Sequence, residues 1–374
     1  MKLNEICEVY SGYAIKEFNN IKKGLPVIKI GNILTDGTLN LGECQFSTED
    51  INEKYHSKKG DIYVALSGAT TGKLGIMEDE KKYIINQRVG IIRLKQKSVS
   101  QSYIKFFLLK QTERIIDEAT GCAQPNISPK QIGEYDVPVF PEKEMLQISD
   151  ILNNIVCVIK HYKAMIKKYD DLIKARFIEM FGRPFINNLN WESKQIKNVV
   201  NEVKYGTSKP SVENGEYKYL RMNNLTYDGR FDLTDLKFIS LDNDELEKCV
   251  VRKGDVLFNR TNSLDLIGKT ADFDFDEDMV IAGYIIRIRL KETIVPKFFS
   301  MYMNTDEMKL HLRTIAKGAV NQANINAQEL QEIPIYLPPI ELQNQFVNFV
   351  RQVDKSRFDI KKSITELERE VVYD

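Results

Sequence analysis

Ile148, Leu152, Ile155, Ile159, Tyr162, Ile166, Tyr169 and Ile173 step alternately by four and three, the spacing that lays one apolar stripe along a helix. The same steps return 198 positions later in Phe346, Val350, Val353, Arg357, Ile360, Ile364, Leu367 and Val371, with only Arg357 outside the apolar set. Each stripe is roughly 40 Å long at about 1.5 Å per residue. A single stripe would pack on its own globular domain. Two that match favour mutual pairing, and symmetry favours an antiparallel arrangement.

The doubling extends upstream. Asn126, Glu134, Pro141 and Gln147 pair with Asn324, Glu332, Pro339 and Gln345 at the same offset. Earlier still, short runs rich in β-branched residues predict matching strands: Val27–Ile30 with Tyr219–Met222, Ile62–Val64 with Val256–Phe258, and Val89–Leu94 with Tyr284–Leu290. Asp36-Gly37 and Asp228-Gly229 predict turns with a positive φ, and Phe106-Phe107 and Phe298-Phe299 fall on predicted helices. A repeat of this length exceeds the roughly 20–50 residues of a solenoid unit. Two similar domains in tandem are expected.

Composition narrows the class. The 374 residues, 43% hydrophobic and 28% charged, suit a globular chain of two domains. No apolar run reaches the roughly 18–20 residues that span a bilayer, and Met1-Lys2-Leu3-Asn4-Glu5 has no apolar signal core, so a cytoplasmic protein is expected. The five cysteines are scattered without a CxxC pair, which predicts reduced thiols. Lys plus Arg equals Asp plus Glu. That balance excludes a blanket polycation but leaves local basic patches open.

Candidate catalytic motifs fail on their spacing. Gly68-Ala69-Thr70-Thr71-Gly72-Lys73-Leu74 has its glycines too close for a phosphate loop, and Leu74 stands where Mg²⁺ needs a hydroxyl; Gly268-Lys269-Thr270 has Ser263 in place of the first glycine. Asp272, Asp274 and Asp276 alternate as in a calcium loop, but Glu277 takes the glycine position; a solvated acidic hairpin tip is expected. His56, His161 and His311 are too dispersed for a metal site. No methyltransferase motif is present.

What remains are amide- and hydroxyl-rich loops at matching places. The first copy has Ser67–Lys73, Asn86-Gln87-Arg88 and Gly121–Asn126; the second has Asn259–Ser263, Gly268-Lys269 and Lys317–Gln322. Arg reads guanine and Asn or Gln reads adenine bidentately, while Ser, Thr and Lys hold phosphate. Recurrence with altered residues points to a recognition surface that differs between copies.

Ser67-Gly68-Ala69-Thr70-Thr71-Gly72-Lys73-Leu74-Gly75, the Asn86-Gln87 pair, the two proline-to-glutamine junctions and Phe177-Ile178-Glu179-Met180-Phe181-Gly182 together resemble the specificity subunit of a type I restriction-modification system. The resemblance covers essentially the whole chain. It implies an α+β fold: a tandem pseudo-symmetric repeat of two target-recognition domains (1–143 and 183–340), each followed by a long helix (144–182 and 341–374), the helices forming an antiparallel coiled coil. It implies a non-catalytic reader of a bipartite, asymmetric double-stranded DNA target. Two modification subunits carrying S-adenosylmethionine, and restriction subunits using ATP and Mg²⁺, are the implied partners; this chain itself is expected to bind no cofactor and no membrane. A helical spacer near 40 Å suits half-sites about one DNA turn, 34–36 Å, apart.

The copies also depart from each other. Asn259-Arg260-Thr261-Asn262 stands against Leu66-Ser67-Gly68-Ala69, and Ala282-Gly283 against Asn86-Gln87. The chain stops at Asp374, opposite Arg176, so the second helix lacks a counterpart of Phe177–Gly182. The expected DNA contacts are Ser67, Thr70, Thr71, Lys73, Asn86, Gln87 and Arg88 in the first copy, and Asn259, Arg260, Thr261, Asn262, Lys269 and Tyr284 in the second. Arg88 and Arg260 are the favoured base readers. Two rival readings are a reader belonging to another restriction-modification type and a coiled-coil scaffold that binds protein.

Overall fold

The computed structural model describes residues 1–95, 99–119 and 125–372. Contacts divide the chain into two units, Met1–Ala164 with Ile360–Asp374, and Met165–Asp359. The two long helices, Glu142–Phe181 and Ile340–Val372, are therefore shared out between the units. Both begin upstream of the Gln147 and Gln345 junctions.

The first unit is built on an antiparallel sheet in the order Cys7–Ser11, Val89–Leu94, Ile62–Ala65, Leu74–Ile76. Its central strands are apolar without interruption because both faces are covered. Ile62, Val64 and Ile92 face Ile104 and Leu108 of the helix Gln101–Lys110 together with Ile132 and Tyr135. Tyr63, Ala65 and Ile91 face Ile28, Ile33 and Ile85. A period of two thus sorts the side chains onto two cores rather than onto core and solvent. The second face belongs to a small sheet, Gln45–Ser47, Leu25–Ile28, Ile84–Ile85, whose last two strands are parallel.

The second unit repeats this plan. Thr270–Asp272, Val256–Asn259, Ile285–Leu290 and Val200–Tyr205 form the antiparallel sheet. Lys237–Ile239, Tyr217–Leu220, Met279–Ile281 and Val250–Val251 form the smaller one, again with one parallel pair. Val256, Phe258 and Ile286 enter one core and Leu257 and Ile285 the other.

Repetition reaches single atoms. Asn32 and Asn224 each accept a backbone N–H three residues back, from Lys29 and Arg221, both at 2.9 Å, and their amides donate to the carbonyls of Asn40 and Asp232. Asp61 accepts from Arg93 at 2.7 Å, as Asp255 does from Arg289 at 3.1 Å. Gly12 and Gly206 lie against the next strand so closely that a Cβ would stand 2.3 Å from the Ile85 carbonyl oxygen and 2.2 Å from that of Ile281. Gly37 and Gly229 take the expected positive φ, 81° and 80°.

Every position of both helical stripes is buried or half-buried. Arg357, the apparent interruption, is 6% exposed, with ion pairs to Asp354 at 3.1 Å and Asp170 at 3.4 Å. Within the second unit the two helical stretches run in opposite directions, since Phe177 meets Phe346 with ring centroids 5.4 Å apart while the earlier Asp170 meets the later Arg357. Phe177 and Phe181 join Phe298 and Phe346 in an aromatic cluster, which explains the apolar ending of the first helix. Within the first unit Lys163 pairs with Glu368 at 2.8 Å. A second row on the first helix, Ile151, Val158, Met165 and Leu172, is 39–60% exposed.

The second unit also departs from the first. It contains a three-stranded sheet, Thr261–Asn262, Gln322–Asn324, Lys317–Ala319. Arg287 occupies the register position of Ile91 and is fully buried, donating to Glu202 at 2.6 Å and to the Val250 carbonyl. The acidic tip needs a correction. Asp274 and Asp276 are exposed beside Lys253, but the Asp272 side chain is 7% exposed, pairing with Lys297 at 2.7 Å and accepting from Ser300.

Candidate nucleic-acid interface

In the first unit the strand Ile62–Ala65 runs out into a loop that returns as Leu74–Ile76. Backbone bonds tie this loop to two neighbours. Leu66 N–H donates to Arg88 O and Ile127 N–H to Leu66 O, both at 2.9 Å, and Gly68 N–H donates to Pro125 O at 3.1 Å. Ser67, Thr70, Thr71, Lys73, Asn86, Gln87 and Arg88 are therefore brought together at one end of the sheet. A phosphate loop would enter a helix here; this one enters a strand, so its amides are not assembled at a helix start.

These residues differ in availability. Gln87 and Arg88 are exposed. The Ser67 and Thr70 hydroxyls are shielded and have no hydrogen-bond partner among the described residues, a polar demand that a ligand could answer. Lys73 is half-buried in a groove of about 630 Å³ with Lys105 and Lys163. Thr71 is reassigned: its hydroxyl donates to Gly68 O at 2.7 Å, closing the loop on itself. The Asn86 side-chain carbonyl accepts the Arg88 N–H at 3.2 Å and shapes the turn. Gly121–Gln124 of the third loop lie outside the described residues.

The second unit assembles the same place with different chemistry. Arg260 N–H donates to Tyr284 O and Ile325 N–H to Arg260 O, both at 2.9 Å. Arg260 is thus the counterpart of Leu66, and Thr261, bridged to Asn324, that of Ser67, bridged to Asn126. This corrects the alignment read from the sequence by one residue.

Asn259 and Thr261 are corrected as contacts. Asn259 is fully buried, its amide donating to Thr261 O at 3.1 Å and Tyr284 O at 3.0 Å. Thr261 is 7% exposed and its hydroxyl accepts from Asn324 at 2.8 Å. Asn262 donates to Asn259 Oδ1 at 2.8 Å and accepts from Ser263 N–H at 2.9 Å, so it too braces the loop.

Arg260 is held more loosely. Its guanidinium lies 4.7 Å from the centroid of the Tyr205 ring, its contacts to Gly283 O and Asn324 Oδ1 are 3.4 Å long, and its Nε has no partner among the described residues. Tyr284 is 52% exposed. Burial pulls the Lys269 ammonium below the usual lysine range, and Nζ reaches Met222 O at 3.4 Å. The Lys317–Gln322 loop is a β-hairpin with Val320 68% exposed at its tip, held by Leu264 N–H to Val320 O at 2.8 Å. Sequence reading missed Tyr205, whose only signal is an aromatic residue immediately before Gly206.

The family model for the type I restriction modification DNA specificity domain matches this chain twice, over residues 1–168 and 188–369. The chain belongs to that family. Among specificity-domain proteins, the specificity subunit of the type I restriction enzyme EcoBI of Escherichia coli is 22% identical over 396 residues, covering 97% of this chain and 81% of its own length. The corresponding subunit of EcoKI, from Escherichia coli strain K12, is 21% identical, covering 91% and 77%. The crystal structure of the type I S subunit from M. genitalium covers 99% of this chain and 93% of its own at a TM-score of 0.52. A chain from a structural study of assembly and conformational transition of the type I R-M system covers 99% and 94% at 0.62. Both are 15% identical, and both share the fold. Each family match spans one of the two repeated sheet assemblies together with its loops. Among the described residues, no helix is long and apolar enough to cross a membrane.

Proposed function

We propose that the chain is the non-catalytic DNA reader of a type I restriction-modification complex, each unit recognising one half of a bipartite, asymmetric target. The carrying observation is one scaffold used twice with different groups at its loop end: Leu66, Ser67 and Arg88 in the first unit become Arg260, Thr261 and Tyr284 in the second. Arg88, Gln87 and Lys73, with the unpaired Ser67 and Thr70 hydroxyls, form the first reading surface. Arg260, Tyr284 and Lys269 form the second, with Asn259, Thr261 and Asn262 bracing it from beneath.

In this reading the long helices pair as an antiparallel coiled coil. The exposed apolar residues of the first helix, among them Ile151 at 60%, suit a protein partner. Two modification subunits supply S-adenosylmethionine and methylate adenine, and restriction subunits supply ATP- and Mg²⁺-dependent cleavage, all in the cytoplasm. The family match favours this reading over a protein-binding scaffold.

Duplex binding by the chain assembled with its modification subunits tests the reading. Affinity should fall steeply with added salt as phosphate contacts release counterions, and a cognate duplex should outcompete a scrambled one. Salt-independent or sequence-blind binding contradicts it.

A further inference from the structure

The second unit gathers positive charge at a point where, among the described residues, no carboxylate pairs with it. Lys309, on the helix Asp306–Ile315, is 4% exposed, and its Nζ donates to Gly268 O at 2.6 Å. A lysine this buried ordinarily has an anionic partner. Here the Tyr227 ring stands over it, 5.0 Å from Nζ to the centroid, and the charges acting on it are those of Arg313 and Lys269. Arg313 donates to Tyr227 Oη at 2.9 Å and Asp265 O at 3.4 Å, and Lys269 to Met222 O.

Those acceptors are all neutral. The carboxylates on the adjoining elements are otherwise engaged or turned outward: Asp228 pairs with Arg230, Glu307 with Arg183 and Asp272 with Lys297. Asp265 is exposed and meets Arg313 through its carbonyl, and Asp306 lies in the first turn of the helix.

We infer that Lys269, Lys309 and Arg313 form a seat for one phosphate of the DNA backbone. The inference rests on the DNA-reading function proposed above. Lys269 and Arg313, both half-buried, are the contacts. Lys309 is a positioning residue beneath them: it holds the Gly268 carbonyl, while Gly268 N–H holds Asn259 O at 3.0 Å, so the phosphate seat and Arg260 sit on one closed loop. The first unit arranges its basic groups differently, Lys73 sharing its groove with Lys105 and Lys163. Lys73 matches Lys269 through the same backbone bond, from Ala65 N–H to Lys73 O as from Asn259 N–H to Lys269 O. Its backing helix, however, brings Ile115 and Ile116 against Gly72.

Proton uptake follows from the burial. Desolvation, then Arg313 and Lys269, lower the Lys309 pKa to about 7, leaving the amine largely neutral at pH 8. An arriving phosphate favours the charged form. The pKa is then higher in the bound state than in the free one, and affinity must fall as pH rises through 7. His311, on the same helix, packs on Phe185, and burial lowers its pKa from the usual imidazole value.

The test measures cognate-duplex affinity of the assembled complex from pH 6.5 to 8.5 at fixed ionic strength, with calorimetry in buffers of different ionisation enthalpy to count protons. Binding should weaken about tenfold over the range, with up to one proton taken up at the alkaline end. Lys309→Met should flatten the profile. Arg313→Gln, a milder change at a half-buried position, should weaken binding about tenfold at pH 6.5 and lower the salt slope by about one. His311→Gln should change neither. A wild-type profile flat in pH, or a dependence that persists in both Lys309→Met and Arg313→Gln, overturns the seat while leaving the DNA reading intact. A complex that binds no duplex removes both.

Discussion

Replacing Arg260 with Ala separates base reading from loop support. Within the protein the Arg260 guanidinium makes one cation–π contact at 4.7 Å and two hydrogen bonds at the long distance of 3.4 Å, with Nε unpaired. The stacking contributes about 0.5–1 kcal/mol, and removing a shielded, unpaired Nε–H offsets part of its loss. The folded chain should therefore lose under about 1 kcal/mol. As a reader of one base pair, Arg260 should contribute about 1–3 kcal/mol, or roughly 5- to 150-fold in affinity at 1.4 kcal/mol per decade. Binding of the assembled complex to a set of duplexes varied one position at a time is the assay, alongside urea denaturation of the chain. The expected result is relaxed preference at one position of one half-site, an unchanged salt slope and nearly unchanged stability. Uniform weakening across all duplexes with a salt slope lower by about one marks a phosphate clamp instead and refutes the base-reader assignment.

Three further outcomes follow from the same contacts. Phe181→Ala empties a fully buried position whose ring lies 4.8 Å from that of Phe298 and 5.5 Å from that of Phe346; denaturation should show a loss of about 3–5 kcal/mol, and a loss below 1 kcal/mol would mean the cluster is not cohesive. Asp61→Asn leaves Arg93 without its charged partner, the two side chains being 2% and 12% exposed; it should destabilise by about 3–5 kcal/mol, and an unchanged urea midpoint would contradict the pairing. Burial pushes the Glu202 carboxyl up, but Lys204, Arg287 and Arg289 outweigh it and hold the pKa below 4.5. That stabilisation is present above 4.5 and lost as pH falls through the folded pKa, so Glu202→Gln should flatten the acid limb of the stability profile below pH 4.5; an acid limb as steep as wild type would remove Glu202 from the account.

Periodic features were legible in the sequence because they obey short-range geometry. The stripes, the paired strands, the Asp-Gly turns and the duplication each express a spacing that packing enforces at every copy. Features that depend on what lies across a contact were not. Arg357 breaks the apolar pattern in the sequence yet is buried, because Asp170 and Asp354 neutralise it there. Asn259 and Thr261 have the composition of base readers, but the register that bridges Thr261 to Asn324 turns them inward. The one-residue error in aligning the loops has the same origin: only the backbone bonds of Leu66 and Arg260 fix which residues correspond. The Lys309 cluster left no local signal, since its members lie at 269, 309 and 313 and meet only in the folded unit.

The central claim is that one scaffold reads two different half-sites. Methylome sequencing of a host that lacks other adenine methyltransferases and expresses this chain with its modification subunits tests that claim most directly. The account predicts a single bipartite motif with unlike halves, methylated on both strands. A palindromic motif, or methylation without a split target, would contradict it.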